Sequence, residues 1–248
     1  MTRRIDLNCD LGESFGIYRH GADEEMMPLI TSANVACGFH AGDPVVMHDA
    51  VASAAAHGVA VGAHVGLPDR LGFGRRYMQL SAREAYASTV YQLGALGGFL
   101  AAAAVRMQHV KPHGALYMMA AEDADVADAV AAATAAYDAR LAVYTLPGSQ
   151  LAVRAQAYGL AVVEEFFADR PYGPDGVQMF GWTYDQLGGP AGTADRVAAM
   201  LADPAAGSVE TVCVHSDTDD APALVRAVRD RLHREGVTIG RAGTPDAG

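Results

Sequence analysis

The chain has 248 residues, 51% of them hydrophobic, with 29 acidic side chains against 18 basic ones and a formal net charge of −11. That length and apolar content suit a single domain with a large core. The acidic balance excludes a nucleic-acid or anionic-membrane surface, since both need clustered positive charge.

Arg3 and Arg4 are followed by no apolar leader, and the alanine-rich stretches are broken well short of a membrane span, so a cytoplasmic protein is expected. Strand-like apolar runs follow at Ile5–Cys9, Ala33–Cys37, Val59–His64, Gln108–Lys111, Leu141–Leu146, Ala161–Phe166 and Thr211–His215, separated by segments of helical period. The alternation predicts an α/β fold, a TIM-like (β/α) barrel of seven strands, closed or slightly open, over residues 1–240. A disordered tail is expected at 241–248. A doubly wound open sheet is the alternative, but no G-x-G-x-x-G follows the first strand.

Helix ends are written clearly. Asp43-Pro44 is an N-cap followed by proline at the first helical position, with Val46, Met47, Ala50, Val51 and Ala54 on one face before Gly58. Ser81 and Glu84 have capping-box spacing. A last helix from about Asp220 to Glu235 turns Leu224, Val225, Val228 and Leu232 inward and stops at Gly236. Two connections, Val65–Leu80 and Ala168–Pro190, are long enough for lids or binding loops.

Polar residues crowd the ends of these runs, where barrel enzymes assemble their sites. Asp6, Asn8 and Asp10 share one face of the first strand, as a capping network or as carboxylates poised for metal binding or acid–base work. His40, His64, His113 and His215 each end a different run; a lone histidine is usually a satisfied core residue, but four equivalent ones point to a site. His20, His48, His57, His109 and His233 read as surface residues. Asp10 with His40 and His64 would suit a divalent metal. Lys111, the only lysine, could donate to an oxyanion or merely pair with Asp10 or Glu13. Arg70, Arg75 and Arg76 could clamp a carboxylate or simply hold their glycine-rich loop to Asp43 or Asp69. Cys9, Cys37 and Cys213 lack metal-ligand spacing and read as buried thiols. No P-loop is present, so any nucleotide chemistry is placed elsewhere.

Long segments of this chain resemble the LamB/YcsF family, also described as the A-type component of bacterial 5-oxoprolinase. They are Asp6-Leu-Asn-Cys-Asp-Leu-Gly-Glu13, Asn34 through Pro44, Gly62-Ala-His64, Pro68-Asp69 with Gly72-Phe-Gly-Arg-Arg76, Lys111 through Tyr117, Glu165, Ala168-Asp-Arg170 and Cys213-Val-His215. The resemblance implies a barrel related to the glycoside hydrolase and deacetylase barrels. It also implies ATP-dependent opening of 5-oxo-L-proline to L-glutamate, with ATP handled through separate B and C subunits; self-association as a homo-oligomer is left open. On that reading Asp10, His40, His64, Lys111 and His113 are catalytic, while Asn8, Glu13, Arg75, Arg76, Glu165 and His215 bind substrate. The other two readings are a metal-dependent deacetylase and a non-catalytic regulatory subunit. The chain departs from the family pattern at Val65, Met118 and Ser216, and over Val177–Trp182 it carries aromatic residues where the family has an arginine near Gly181. That change predicts preference for a more apolar lactam, with Phe180 or Trp182 packing on it, unless Arg75 or Arg170 takes over the carboxylate.

Overall fold

A computed structural model describes residues 3–174 and 176–243. In chain order the elements are β1 (Arg4–Leu11), α1 (Asp23–Met26), β2 (Ser32–Ala36), α2 (Pro44–His57), β3 (Ala60–Val65), α3 (Ala82–Ala102), β4 (Met107–Pro112), α4 (Gly114–Glu122), α5 (Ala124–Tyr137) and β5 (Ala142–Thr145). They continue with α6 (Gln150–Ala157), β6 (Ala161–Phe167), a hairpin of β7 (Tyr172–Gly173) and β8 (Gly176–Val177), α7 (Gly189–Ala202), β9 (Val209–Cys213), α8 (Ala221–Arg234) and β10 (Thr238–Ile239). Strands β1 to β6 and β9 pair in parallel, and β9 returns to β1 through Asp6–Thr211 and Asn8–Cys213, so the seven-stranded barrel is closed. β10 lengthens the sheet beside the start of β1.

The local signals act as expected. Asp43 accepts hydrogen bonds from the backbone N–H groups of Val45 and Val46, and Gly58 ends α2 at φ +65°, which favours glycine. Ser81 and Glu84 form the reciprocal capping box of α3. Leu224, Val225, Val228 and Leu232 of α8 are buried, each contributing about 1.5–3 kcal/mol of transfer free energy. Among the described residues, no helix is long and apolar enough to cross a membrane.

Strand alternation divides two interiors. On β1, Ile5, Leu7, Cys9 and Leu11 join the apolar layer between strands and helices, while Asp6, Asn8 and Asp10 point into the barrel. There they meet Ser32, Asn34, His109, Lys111, Tyr144, Glu165 and Thr211, all buried and hydrogen-bonded to one another. Barrel interiors of this kind are usually filled by branched apolar side chains; this one holds a connected polar network.

His109 corrects one expectation. Read as a surface residue, it is fully buried inside the barrel, because it stands two positions before Lys111 and so shares that residue's inward face. Gly62 makes the room: a Cβ there would lie 2.1 Å from His109 Nε2. At the other end of the chain, Ala242 is buried against Tyr144 and Val163, and Gln108 Nε2 donates to its carbonyl at 3.1 Å. Of the expected disordered tail, residues 244–248 lie outside the described residues.

Candidate active site

The carboxyl ends of the barrel strands surround a narrow cleft. Asp10, His64, Arg75, Lys111, His113 and His215 line it, so six of the sequence-predicted residues meet at one mouth. Asn8 and Glu165 lie beneath it in the barrel, and Glu13 and His40 lie to one side. Arg76 is held outside by Asp69, with Nε donating to Asp69 Oδ2 at 2.9 Å.

Asp10 is the hub. Its Oδ2 lies 3.1 Å from His64 Nε2 and 3.5 Å from His215 Nε2, while Oδ1 accepts from Asn34 Nδ2 at 2.7 Å and Lys111 Nζ at 3.2 Å. Burial disfavours its charge, but His64, Lys111 and His215 outweigh burial and hold the carboxyl well below the usual carboxylate range. Lys111 is 1% exposed. Burial opposes its charge too, yet Asp10, Cys213 and Glu165 raise its pKa well above the ordinary lysine value. An ammonium has three hydrogens. Asn8 Oδ1 at 3.1 Å, Asp10 Oδ1, Cys213 Sγ at 3.1 Å and Glu165 Oε1 at 2.9 Å surround them and can take all three.

Beside this hub, two imidazoles fix their own tautomers. His64 Nδ1 faces the Lys111 carbonyl at 3.0 Å and His113 Nε2 faces the Phe73 carbonyl at 2.7 Å. A carbonyl only accepts, so both nitrogens carry hydrogen. In the neutral rings His64 Nε2 and His113 Nδ1 then present lone pairs to each other at 2.9 Å. Facing lone pairs repel, and a cation, whether proton or metal, relieves the contact. Glu13 Oε1 lies 3.1 Å from His40 Nε2 and 3.5 Å from His113 Nδ1, and donor atoms of Glu13, His40, His64 and His113 all fall within 4.8 Å of one another. Burial, reinforced by the neighbouring imidazoles, keeps His40 and His113 well below the ordinary histidine pKa. Burial, with the Asp10 and Asp217 charges, raises Glu13 well above the usual range, a shift that a bound cation would reverse. Backbone carbonyls behind inward-facing imidazoles are the usual outer support of metal ligands. The donor set fits a divalent cation. The sequence proposes Asp10, His40 and His64 for that role; the donors that cluster include Glu13 and His113, with Asp10 turned also towards Lys111.

Sequence reasoning missed Asp169 as an orienting group. Its carboxylate faces His215 Nδ1 at 3.0 Å, accepts from the His215 backbone N–H at 2.8 Å and takes the Thr218 hydroxyl at 2.6 Å. His215 Nε2 is thereby aimed at Asp10. The signal was available, since Asp169 closely follows the strand run ending at Phe166, as the other site residues follow theirs. Tyr117, which donates to Glu165 Oε2 at 3.0 Å, was also passed over; it packs with Phe167, Cys213 and Met179 as an apolar wall. In the altered segment, Phe180 lines the cleft and Trp182 lies over Arg170, 4.8 Å from Cζ to the ring centroid.

The model of the LamB/YcsF family matches residues 5–246. The chain is 49% identical over 247 residues to the A-type subunit of the 5-oxoprolinase of Tolumonas auensis, covering 95% of this chain and 98% of that one. It is 46% identical over 246 residues to the Bacillus subtilis protein of the same name, covering 95% and 96%. Among solved structures, a lactam utilization protein from Thermus thermophilus superposes with a TM-score of 0.85 at 43% identity, over 96% of this chain and 99% of that one. A family 4 carbohydrate esterase from Streptomyces lividans shares the fold at a TM-score of 0.53 and 12% identity, over 99% and 95%. With the family model spanning nearly the whole chain and relatives this similar along their full lengths, the chain belongs to the LamB/YcsF family.

Proposed function

We propose that this chain is the A-type subunit of an ATP-dependent 5-oxoprolinase, a C–N hydrolase that opens 5-oxo-L-proline to L-glutamate or acts on a closely related lactam. The observation that carries the reading is the pairing of two acid–base units on one small cleft: Asp10 with His64, and His215 with Asp169. The names of the relatives supply the substrate class.

Amide hydrolysis needs a water stripped of a proton and a nitrogen that receives one before it leaves. Asp10, ionised and fixed by Lys111, Asn34 and His64, takes the water proton. His215, aimed by Asp169 at the same carboxylate oxygen, delivers a proton to the ring nitrogen. Lys111 helps hold Asp10 ionised and bridges it to Glu165; any help to an oxyanion requires it to release one existing hydrogen bond. His113 stands at the cleft wall as a neutral group whose one N–H is taken by the Phe73 carbonyl, so its task is to shape the cleft. If a divalent ion is bound by Glu13, His40, His64 and His113, it supplies Lewis-acid polarisation and a more acidic water.

The partner requirement follows from the substrate. A five-membered lactam re-forms readily, because its amine and carboxylate are held at an effective concentration that can reach about 10⁵ M. Phosphorylating the amide oxygen activates the carbonyl and pulls the opening forward. With no P-loop in this chain, that step is assigned to B and C subunits, in the cytoplasm. The test is 5-oxoproline turnover by the pure chain and by the chain with its partners, each with and without ATP. Turnover only in the complete mixture is expected; turnover by the chain alone without ATP overturns the assignment.

The histidine–Glu13 cluster supports a second reading, a metal-dependent deacetylase-like hydrolase that needs no ATP. Zn²⁺-stimulated hydrolysis of an acetamido sugar by the pure chain would favour it.

A further inference from the structure

One guanidinium beside the cleft is built in but only half used. Arg170 lines the cleft and is 3% exposed. Its Nη1 donates to the Asp169 carbonyl at 2.8 Å and to Thr218 Oγ1 at 3.2 Å, and lies 3.0 Å from Asp169 Oδ2. Its Nε is buried and has no partner, and Nη2 has none among the described residues. Nε–H and one Nη2–H lie along the same edge of the planar group and run parallel, the fork that a carboxylate accepts with both oxygens. A buried N–H without an acceptor is costly. Trp182 covers one face of the guanidinium, which fixes the plane of the fork.

Among the other cations of the mouth, Arg76 is paired with Asp69, Arg70 holds the carbonyls of Gly38 and Gly42, and Lys111 is occupied by Asn8, Asp10 and Glu165. Arg75 commits Nη2 to Asp217 Oδ2 at 2.6 Å and leaves the rest of its guanidinium partly exposed, so among the described residues only Arg170 holds a buried N–H with no acceptor there. We propose that the Nε–Nη2 edge of Arg170 is the seat of a substrate carboxylate. The inference rests on the lactam reading only for the identity of that substrate. Asp169 holds Arg170 by Nη1 and His215 by Nδ1, so one buried carboxylate sets both the anchor for the anion and the group that protonates the ring nitrogen. Tyr117, Phe167 and Met179 form an apolar wall for ring methylenes. The aromatic segment Val177–Trp182 therefore does not leave the site without a carboxylate clamp: Trp182 braces an arginine supplied from the end of β6.

The test is binding to the folded chain, free of any need for turnover. Affinities are measured by calorimetry or ligand-observed NMR for 5-oxoproline and for its neutral carboxamide, which has the same ring and nearly the same shape. The wild-type chain should bind the acid about 10- to 150-fold more tightly, the range of charge-assisted hydrogen bonds. Arg170→Gln should erase that preference while leaving carboxamide affinity within about threefold, and Arg170→Lys, which keeps the charge without the fork, should restore only part of it. Equal wild-type affinity for acid and amide, no binding of either, or an acid preference that survives in Arg170→Gln would each overturn the clamp. The wild-type comparison stands even where a variant does not fold. Preferential binding of the acid without turnover in the complete B, C and ATP mixture would instead remove the lactamase assignment and leave the clamp intact.

Discussion

Asp6 and Asp10 stand four residues apart on the inward face of β1, and both are out of water, yet they are opposite kinds of residue. Asp6, towards the amino end of the barrel, meets only hydroxyls: Thr31 and Ser32 on one oxygen, Tyr144 and Thr211 on the other. Asp10, at the carboxyl end, meets His64, Lys111, Asn34 and His215. Burial pushes both carboxyls up. The hydroxyls recover only part of the shift and Asp6 stays raised, whereas the cations around Asp10 more than reverse it. Low dielectric thus gives a satisfied structural acid or a fixed anion, according to whether donors alone or positive charges surround it. The barrel carries one of each on a single strand.

Exchanging each acid for its amide tests that contrast most severely. Asp10→Asn removes the proton acceptor and leaves Lys111 and His64 facing a neutral group, so kcat for the reconstituted enzyme should fall about 10³- to 10⁴-fold. Asp6→Asn should lower stability by about 1–2 kcal/mol, since hydroxyls can turn to accept as well as donate, and should alter kcat less than about threefold. Similar kinetic losses in the two variants would erase the distinction.

Lys111 extends the comparison, because it is the charge that Asp6 lacks. Lys111→Met should destabilise the chain by about 3–5 kcal/mol in urea unfolding, since Asp10 and Glu165 are left buried without their cation. In the double variant Lys111→Met with Glu165→Gln, part of that loss should return. Additive losses would show that the ion pair is not what the stability depends on.

Much of this was legible in the sequence. All seven runs became barrel strands, and the Asp43, Ser81 and Gly58 signals mark real helix ends, because caps and strand periods are local and need no partner to be read. The strand-end rule gathered Asp10, His64, Lys111, His113 and His215 from distant segments. What escaped is decided by contacts between distant segments. His109 reads as surface until β4 is seen to turn it, with Lys111, towards the space left by Gly62. Arg76 and Arg75 look equivalent in sequence, but only the turn of the 66–81 loop decides which faces the cleft. Asp169 and Arg170 were visible as a motif, but their tasks come from contacts to His215 and Thr218, on a segment more than forty residues away.

The neutral middle of the barrel gives a pH test. Burial, with the Lys111 and His64 charges, lowers His109 to about 3 from an ordinary 6.5. Between those values the unfolded chain binds a proton there that the folded chain does not, so this contribution to stability falls as pH drops, by about 1.4 kcal/mol per pH unit. Asp6 acts the other way, its raised value making the folded state the better proton binder above the usual carboxylate range, so wild-type data alone mix the two signs. The quantity to measure is the stability difference between wild type and His109→Gln from about pH 6 to about pH 4. A difference that does not change with pH would mean that His109 titrates normally.

The smallest effects are expected at the two adjacent arginines of the mouth. Arg75 lines the cleft, bonds Asp217 and lies with Cζ 4.9 Å from the Phe73 ring centroid; Phe73 in turn supplies the carbonyl that orients His113. Losing Arg75 loosens that loop and leaves Asp217 facing the site, so Arg75→Ala should raise KM for 5-oxoproline by about tenfold, the scale of one charge-assisted hydrogen bond, with kcat nearly kept. Arg76 closes its own loop onto Asp69 and points away from the cleft. The Arg76 side chain is exposed, so solvent screens the pair although Asp69 is buried, and Arg76→Ala should change kcat/KM less than about threefold. If the two variants are equally impaired, the 66–81 loop acts as one rigid unit, and facing the cleft is not what makes an arginine of this mouth matter.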